Sequence, residues 1–217
     1  MMFFLYRLPE KFTAAVLIML LCLSAFSAAE SIAADDKVLT VIYSGGGIQL
    51  DPAHSYTTTE AQIYTGVYEG LVSYHPLTLE PLPAAASRWV VSPDGRTYTF
   101  FLRPEGKYWN NSMVEASHFR DAWLRILKPE ENAEYSFMFD IIEGAYEYRT
   151  GQTEDISDVG ISTVTPLILE VKLKEPADYF LKLLCHHAFS PVHPLNLESG
   201  QWKDGPSAVG NGPFYIF

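Results

Sequence analysis

The segment from Thr97 to Leu127 constrains the fold most, because it predicts a strand, a turn and a helix in succession. Thr97 to Leu102 is β-branched and aromatic, which is typical of a half-buried strand. Asn110-Asn111-Ser112 has short polar side chains that favour a tight turn and tolerate left-handed backbone. The helix is predicted to end before Pro129, which cannot continue it. Its apolar face follows steps of three and four: Ala116, Phe119, Ala122, Trp123, Ile126 and Leu127. Trp109, Phe119 and Trp123 are interpreted as aromatic core.

Flanking segments predict further strands and helices, and together they indicate a mixed α+β fold. Strands are expected at Lys37 to Ser44, Ser87 to Val91 and Leu167 to Lys174, with Ser92-Pro93-Asp94-Gly95 turning a hairpin and Tyr74 to Leu82 forming a loop. A helix with Ile63, Val67 and Leu71 on one side is expected to start at a Thr59/Gln62 capping box and to end at Gly70 or just before it. Other helical segments are Ser136 to Tyr148, with a break, and Ala177 to His186. Phe214 to Phe217 is typical of a strand just begun, and we expect the chain to be truncated there.

The first 33 residues have the pattern of a secretory signal peptide. Arg7 and Lys11 precede an apolar run, Ala14 to Phe26, that is short for a membrane span. Cleavage after Ala29 or Ala33 fits the small residues there, and the second position is favoured. The bulky leucines before Cys22 argue against a lipid-anchored cysteine. We therefore expect a secreted chain, periplasmic or otherwise outside the cytoplasm.

Charge and cysteine content exclude several classes of protein. After cleavage Cys185 is the single cysteine, so an intramolecular disulfide scaffold is excluded. The net charge of −11 repels phosphate backbones and therefore disfavours nucleic-acid binding. With 48% hydrophobic residues, the chain is long enough to bury a core of its own.

Several residue groups could in principle form a catalytic or metal site, but each has a simpler interpretation. His186, His187 and His193 match no standard metal-ligand spacing, so no metal or other cofactor is expected. Asp140 and Glu143, three residues apart on a helix, are typical of a solvated acidic face. The neighbours Cys185 and His186 point in different directions on a helix, so they form no nucleophile pair. The sequence predicts a binding module and no enzyme.

The order of motifs resembles the bacterial extracellular solute-binding proteins of the oligopeptide/dipeptide-binding family, family 5. The motifs that carry the resemblance run from Val38 to Phe217: Leu50-Asp51-Pro52, Tyr68-Glu69-Gly70-Leu71-Val72, Pro93-Asp94-Gly95, Tyr98-Thr99-Phe100, Lys107-Tyr108-Trp109-Asn110, Glu175-Pro176 and Asn211-Gly212-Pro213-Phe214. Glu115 and His118 depart from the family pattern at the start of the helix, where Glu115 is a poorer N-cap than threonine.

The resemblance implies a type II clamshell in which this chain supplies the first lobe and a family-specific subdomain, the second lobe being missing. It divides the chain into a signal peptide (1–33), an opening segment of the first lobe (34–68), an α+β subdomain (69–180) and a return to the first lobe (181–217). It also implies ligand-binding residues, which are Tyr56, Thr57, Thr58, Tyr135, Phe137 and Met138. The acid that pairs with a peptide's amino group would come from the second lobe.

The function implied is the substrate-binding component of an ABC importer, which captures peptides and delivers them to a membrane permease. The resemblance also implies a monomer. Two alternatives stay open. The same fold binds other solutes, such as a nickel complex, haem or a cell-wall peptide. The chain could also be a truncated product without function.

Overall fold

The protein is described here from a computed structural model, which covers residue 40 and residues 49–199 and 209–216. The predicted signal peptide and the strand Lys37 to Ser44 lie outside the described residues, except for Thr40. The helices are α1 (Thr58–Val67), α2 (Ala116–Ile126), α3 (Ala145–Arg149), α4 (Phe180–Leu183) and α5 (Pro194–Ser199). The strands are β1 (Val72–Tyr74), β2 (Pro81–Pro83), β3 (Ala86–Val91), β4 (Thr97–Leu102), β5 (Ile161–Thr165) and β6 (Ile168–Lys172). Short 3-10 turns occur at Pro129–Glu131, Ser136–Phe139, Ile156–Asp158 and His187–Phe189.

A four-stranded antiparallel sheet with the order β3-β4-β6-β5 forms the centre of this part of the chain. The predicted hairpin joins β3 to β4, and Gly95 takes a φ of 71° in its turn, a conformation that glycine adopts without steric cost. Phe100 of β4 lies opposite Leu169 of β6, and both are fully buried. The alternation of buried and more exposed residues along both strands confirms the predicted strand pattern.

Helix α2 packs its apolar face against β5 and β6, as its periodicity predicts. Trp123 is fully buried, and its indole N–H donates to the carbonyl of Phe189 at 3.0 Å. The ring of Phe189 in turn stacks on Phe139, with 4.1 Å between centroids. Phe119 and Trp123 therefore lie in the core, as interpreted from the sequence, whereas Trp109 is only partly buried and packs against a second cluster around Tyr64.

The start of α2 shows how the chain accommodates a poor N-cap. Glu115 occupies the cap position, and its backbone N–H donates to Nδ1 of His118 at 3.1 Å. His118 therefore does what a glutamate or glutamine does at this position in a capping box. Burial lowers the pKa of His118, which keeps Nδ1 available as an acceptor.

Some boundaries differ from the predictions. The helix α1 begins after Thr57, which forms the capping box with Glu60; the predicted box of Thr59 and Gln62 is wrong, because both residues already lie inside the helix. Only the ends of the predicted loop Tyr74 to Leu82 differ, because they belong to the small antiparallel pair of β1 and β2, in which Tyr74 lies opposite Pro81. The predicted helix Ala177 to His186 is regular only over α4.

The predicted strand at Phe214 is also absent from the described residues. Its backbone N–H donates to the carbonyl of Gly66, and that of Gly212 donates to Val67, so this segment pairs with the end of α1 and not with a strand. Within the described residues, no helix is long and apolar enough to cross a membrane.

Candidate functional site

The loop that precedes α1 is held by one buried carboxylate. Glu60 accepts backbone N–H groups from Gln49 at 2.9 Å, Tyr56 at 3.1 Å and Thr57 at 3.0 Å. Thr57 completes the capping box, because its hydroxyl accepts from the N–H of Glu60 at 3.2 Å. Burial acts to raise the pKa of Glu60, but these hydrogen bonds outweigh it and the pKa is lowered. An ionised Glu60 therefore fixes the backbone of the loop.

A second anchor lies on the other side of the same loop. Asp51 is buried, and its carboxylate accepts from the N–H of Ala53 at 3.0 Å and from the guanidinium of Arg125 in α2. His54 lies 3.2 Å from Glu131, which follows α2. These contacts tie the loop to the α2 segment, 74 residues further along the chain. The loop is thus held by hydrogen bonds at both ends.

Tyr56 projects from this anchored loop with 65% of its surface exposed. Its carbonyl accepts from the hydroxyl of Tyr135 at 3.4 Å. Thr58, the first residue of α1, is also exposed. The structure therefore brings the two predicted ligand segments together, although they are 79 residues apart in sequence.

Two histidines lie against Tyr135, and sequence reasoning did not assign them to the site. The ring of His186 is 4.6 Å from that of Tyr135, and the ring of His187 is 5.5 Å from it. Nδ1 of His186 accepts from the N–H of Ala188 at 3.2 Å, so a neutral ring carries its proton on Nε2. His187 places Nε2 at 3.4 Å from the carbonyl of Ser55 and stacks on Tyr64. The only sequence signal was their position after an amphipathic helix.

Both histidines are neutral near pH 7. Burial, with a smaller effect of His187, lowers the pKa of His186 to about 4. Burial also lowers the pKa of His187. Within the described residues, no protein group accepts from Nε2 of His186. Tyr56, Thr58, Tyr135 and His186 together form an aromatic surface with hydrogen-bonding groups at its edge, and we name it the Tyr135 surface.

Phe137 and Met138 follow Tyr135 on the same 3-10 turn but lie beside the Tyr135 surface. Phe137 is 58% exposed, with its ring centroid 6.4 Å from that of Tyr135. Both residues line an adjoining open hollow. The hydroxyl of Thr57 accepts a hydrogen bond in the capping box, which fixes the backbone between the exposed residues Tyr56 and Thr58.

The residues weighed as catalytic groups have structural partners. Asp140 forms a two-pronged ion pair with Arg149, at 2.8 and 2.6 Å, and Glu143 pairs with Lys172 at 2.8 Å. Burial raises the pKa of Cys185 to about 11, so its thiol stays protonated at neutral pH. Among the described residues, no group of three or more His, Cys, Asp and Glu side chains could hold a metal ion.

The structure also brings Ser112 to 2.9 Å from Nε2 of His193, a contact that the sequence did not predict. Nδ1 of His193 accepts from the N–H of Leu195 at 3.1 Å, so Nε2 carries the proton. Nε2 lies near both the serine oxygen and Nδ2 of Asn110, and only the serine oxygen can accept from it. The serine hydroxyl donates to Oδ1 of Asn110 at 2.6 Å. The direction of these hydrogen bonds is opposite to that of a general base acting on a nucleophile. They tie the turn to the segment before α5.

Comparison with known proteins decides the family. A family model described as "Bacterial extracellular solute-binding proteins, family 5 Middle" matches residues 80–216. The chain belongs to family 5 of the bacterial extracellular solute-binding proteins. The resemblance drawn from the sequence motifs is therefore confirmed.

Individual relatives give the extent of the match. The dipeptide-binding protein DppE of Bacillus subtilis is 34% identical over 183 residues, which are 83% of this chain and 33% of DppE. The periplasmic oligopeptide-binding protein OppA of Escherichia coli is 31% identical over 83% of this chain and 34% of its own length. This family 5 chain thus spans about a third of the length of these relatives.

Solved structures confirm the fold class, a mixed α/β part of a type II clamshell. The substrate-binding domain of an oligopeptide ABC transporter from Bacillus anthracis matches with a TM-score of 0.72 and 34% identity, over 77% of this chain and 32% of that one. The unliganded open form of the periplasmic murein tripeptide-binding protein MppA gives a TM-score of 0.71 at 30% identity, over 75% and 32% of the two chains.

Proposed function

We propose that this chain captures peptides outside the cytoplasmic membrane and belongs to the binding component of an ABC importer. The observation that carries the proposal is the Tyr135 surface, where Tyr135 contacts the Tyr56 loop and two neutral histidines lie alongside. An aromatic surface with one donor at its edge, Nε2 of His186, that is unpaired within the described residues suits a peptide, because the rings contact its side chains while the donor bonds its backbone. Relatives that bear the names dipeptide-binding and oligopeptide-binding protein support this ligand class.

The proposal assigns roles to the parts of the chain. Residues 34–68 open the first lobe, residues 69–180 form the subdomain, and residues 181–217 return to the first lobe. In support of this division, the backbone N–H groups of Gly212 and Phe214 donate to the carbonyls of Val67 and Gly66, at 2.9 and 3.0 Å, and thus hold the return segment against the end of α1. The second lobe would close over the ligand, and the closed form of a monomer would then dock on a permease.

We propose binding and not catalysis. Two alternatives, another solute and a fragment without function, would give different experimental results. A solute other than a peptide would use the same surface; one relative is named a probable deoxycholate-binding periplasmic protein. A fragment without function would show no ligand-dependent change at Tyr56 or Tyr135. The net charge of −11 disfavours binding to nucleic acid.

Trialanine is a suitable first probe, because it offers a peptide backbone with minimal side chains. We expect residues 34–217 alone to bind it with a Kd weaker than about 1 mM, since a second lobe would supply the other half of the proposed groove and one half gives only part of the binding free energy. Amide NMR shifts should concentrate at Tyr56, Thr58 and His186. Micromolar binding measured by calorimetry would contradict the two-lobe mechanism.

Two variants of one residue provide the matched control. Tyr135→Phe removes the hydroxyl that donates to Tyr56 and keeps the ring, whereas Tyr135→Ala removes both. If the ring contacts the ligand, the alanine variant should lose the trialanine shifts and the phenylalanine variant should keep most of them. Shifts that persist in the alanine variant would place the ligand elsewhere and refute the assignment of the site.

A further inference from the structure

An open hollow of about 480 Å³ adjoins the Tyr135 surface, between the turn Ser136–Phe139 and α4. Its volume lies within the range of small-ligand sites in proteins. The floor is apolar and consists of Met138, Ile141 and Leu183, which are all partly buried. The hollow is thus large enough and apolar enough for one large side chain.

Two exposed aromatic rings form its walls. Phe137 and Tyr179 are each 58% exposed, although an aromatic side chain is stabilised by burial. Single exposed apolar residues are common on protein surfaces, but two that face one apolar floor mark a recognition surface. A side chain inserted between them would remove both rings and the floor from water.

Among the charged groups at the rim of the hollow, one negative charge has no ion-pair partner within the described residues. Asp140 is neutralised by Arg149, and Lys174 lies 3.6 Å from Glu147. Glu175, which also lines the hollow, forms no ion pair within the described residues. A ligand with a positive charge next to its apolar group therefore complements the rim better than an acidic one does.

The hollow lies next to the proposed peptide site. Tyr135 and Phe137 are two residues apart, with ring centroids 6.4 Å apart, so a chain that lies on the first ring can reach the second. Consecutive side chains of an extended peptide point to opposite sides, so the long, flexible side chain of a following lysine or arginine folds back for its charge to reach the rim.

We propose that this hollow is a specificity subsite for a large apolar peptide side chain that is followed by a basic residue. The proposal rests on the proposed peptide-binding function and deepens it by naming the preferred ligand. Phe137 and Tyr179 are its specificity-determining residues, and Glu175 selects the neighbouring positive charge.

Capped dipeptides test this subsite separately from the main site. The probes are N-acetyl-Phe-Lys-amide, N-acetyl-Gly-Lys-amide and N-acetyl-Phe-Glu-amide, titrated into the purified chain with labelled methionine, isoleucine and leucine methyl groups. The methyl resonances of Met138, Ile141 and Leu183 should shift with the Phe-Lys probe. The Gly-Lys probe should bind at least about tenfold more weakly, and the Phe-Glu probe about twofold to threefold more weakly.

Substitutions identify the side chains responsible. Tyr179→Ala and Phe137→Ala should each weaken the Phe-Lys probe about fivefold or more and leave the Gly-Lys probe unchanged. Leu77→Ala, which removes an 87% exposed side chain from another surface, is the matched control and should change neither. Because Tyr179 and Phe137 are exposed, both variants should fold, which the methyl spectrum itself verifies.

Three outcomes would overturn the subsite. Equal binding of the Phe-Lys and Gly-Lys probes would remove the apolar selectivity, and unchanged Phe-Lys binding by Tyr179→Ala would place the probe elsewhere. Concentration-dependent Met138 shifts without a probe would mean that a second copy of the chain covers the hollow. Failure of the proposed function gives a different result, the absence of trialanine shifts at Tyr56 and His186.

Discussion

Acid should destabilise the folded chain through His186, and the size of the effect can be worked out. Its pKa is about 4 in the fold, because burial and the neighbouring His187 disfavour the charged ring, against an ordinary value of 6.5. Below pH 6.5 the unfolded chain therefore binds a proton that the folded chain does not. The contribution to stability is complete above pH 6.5 and falls as the pH drops towards 4.

This difference in pKa corresponds to about 3 kcal/mol at most, at 1.36 kcal/mol per pKa unit. The ring is partly exposed and its titration is coupled to that of His187, so solvent screening and coupling reduce the expected loss to about 1–2 kcal/mol between pH 7 and pH 4.5. Carboxyl groups titrate in the same pH range, so the wild-type protein alone cannot separate the effect of the histidine from theirs.

His186→Asn isolates it, because an asparagine oxygen can accept from the N–H of Ala188 as Nδ1 does and carries no titrating group. Urea unfolding followed by tryptophan fluorescence should give a difference in unfolding free energy, wild type minus variant, that decreases by about 1–2 kcal/mol from pH 7 to pH 4.5. Two parallel curves would refute the assignment of acid sensitivity to the buried imidazole. In the His187→Asn background the decrease should be smaller, because that ring contributes to the lowered pKa of His186.

Three substitutions test the supports of the fold and the site. Trp123→Ala should lower the free energy of unfolding by about 3–5 kcal/mol in urea, since it leaves a cavity and an unpaired carbonyl at Phe189. Gly144→Ala should cost more than about 1 kcal/mol, because the residue has a φ of 71° and a Cβ would overlap the carbonyl of Asp158; Gly151→Ala, with the same φ and open space around it, is the matched control. Glu60→Ala should cost about 2–4 kcal/mol and increase amide hydrogen exchange at Tyr56 and Thr57, whereas unchanged exchange would contradict its role as the anchor of the loop.

Elements with strong local signals were predictable from the sequence. Helix α2 combines apolar residues at helical spacing with a proline stop, and β4 and β6 alternate between buried and exposed residues. In each case the information lies within a dozen residues. The short pair of β1 and β2 was missed because Pro76, Pro81 and Pro83 are typical of a loop; prolines are tolerated there because the pair is a sheet of only two strands, in which every strand is an edge.

The site depended on contacts that no local pattern encodes. Tyr56 and Tyr135 were placed in a common site only by resemblance, since nothing in either segment predicts a contact across 79 residues. His186 and His187 have no motif of their own. They enter the candidate site because α4 ends where their rings contact Tyr135, and burial keeps them neutral near pH 7.

The two anchors of the Tyr56 loop explain how this chain presents a formed part of the proposed site. Glu60 fixes the backbone from within α1, and Asp51 ties it to α2 through Arg125, so the loop geometry depends on contacts among the described residues. Glu60 accepts three backbone N–H groups of the loop, and its lowered pKa keeps it ionised in mild acid. The loop should therefore stay ordered at a pH where His186 has begun to lose its contribution to stability. Ligand contacts at Tyr56 should persist to lower pH than those at His186, which the pH dependence of the trialanine shifts can measure.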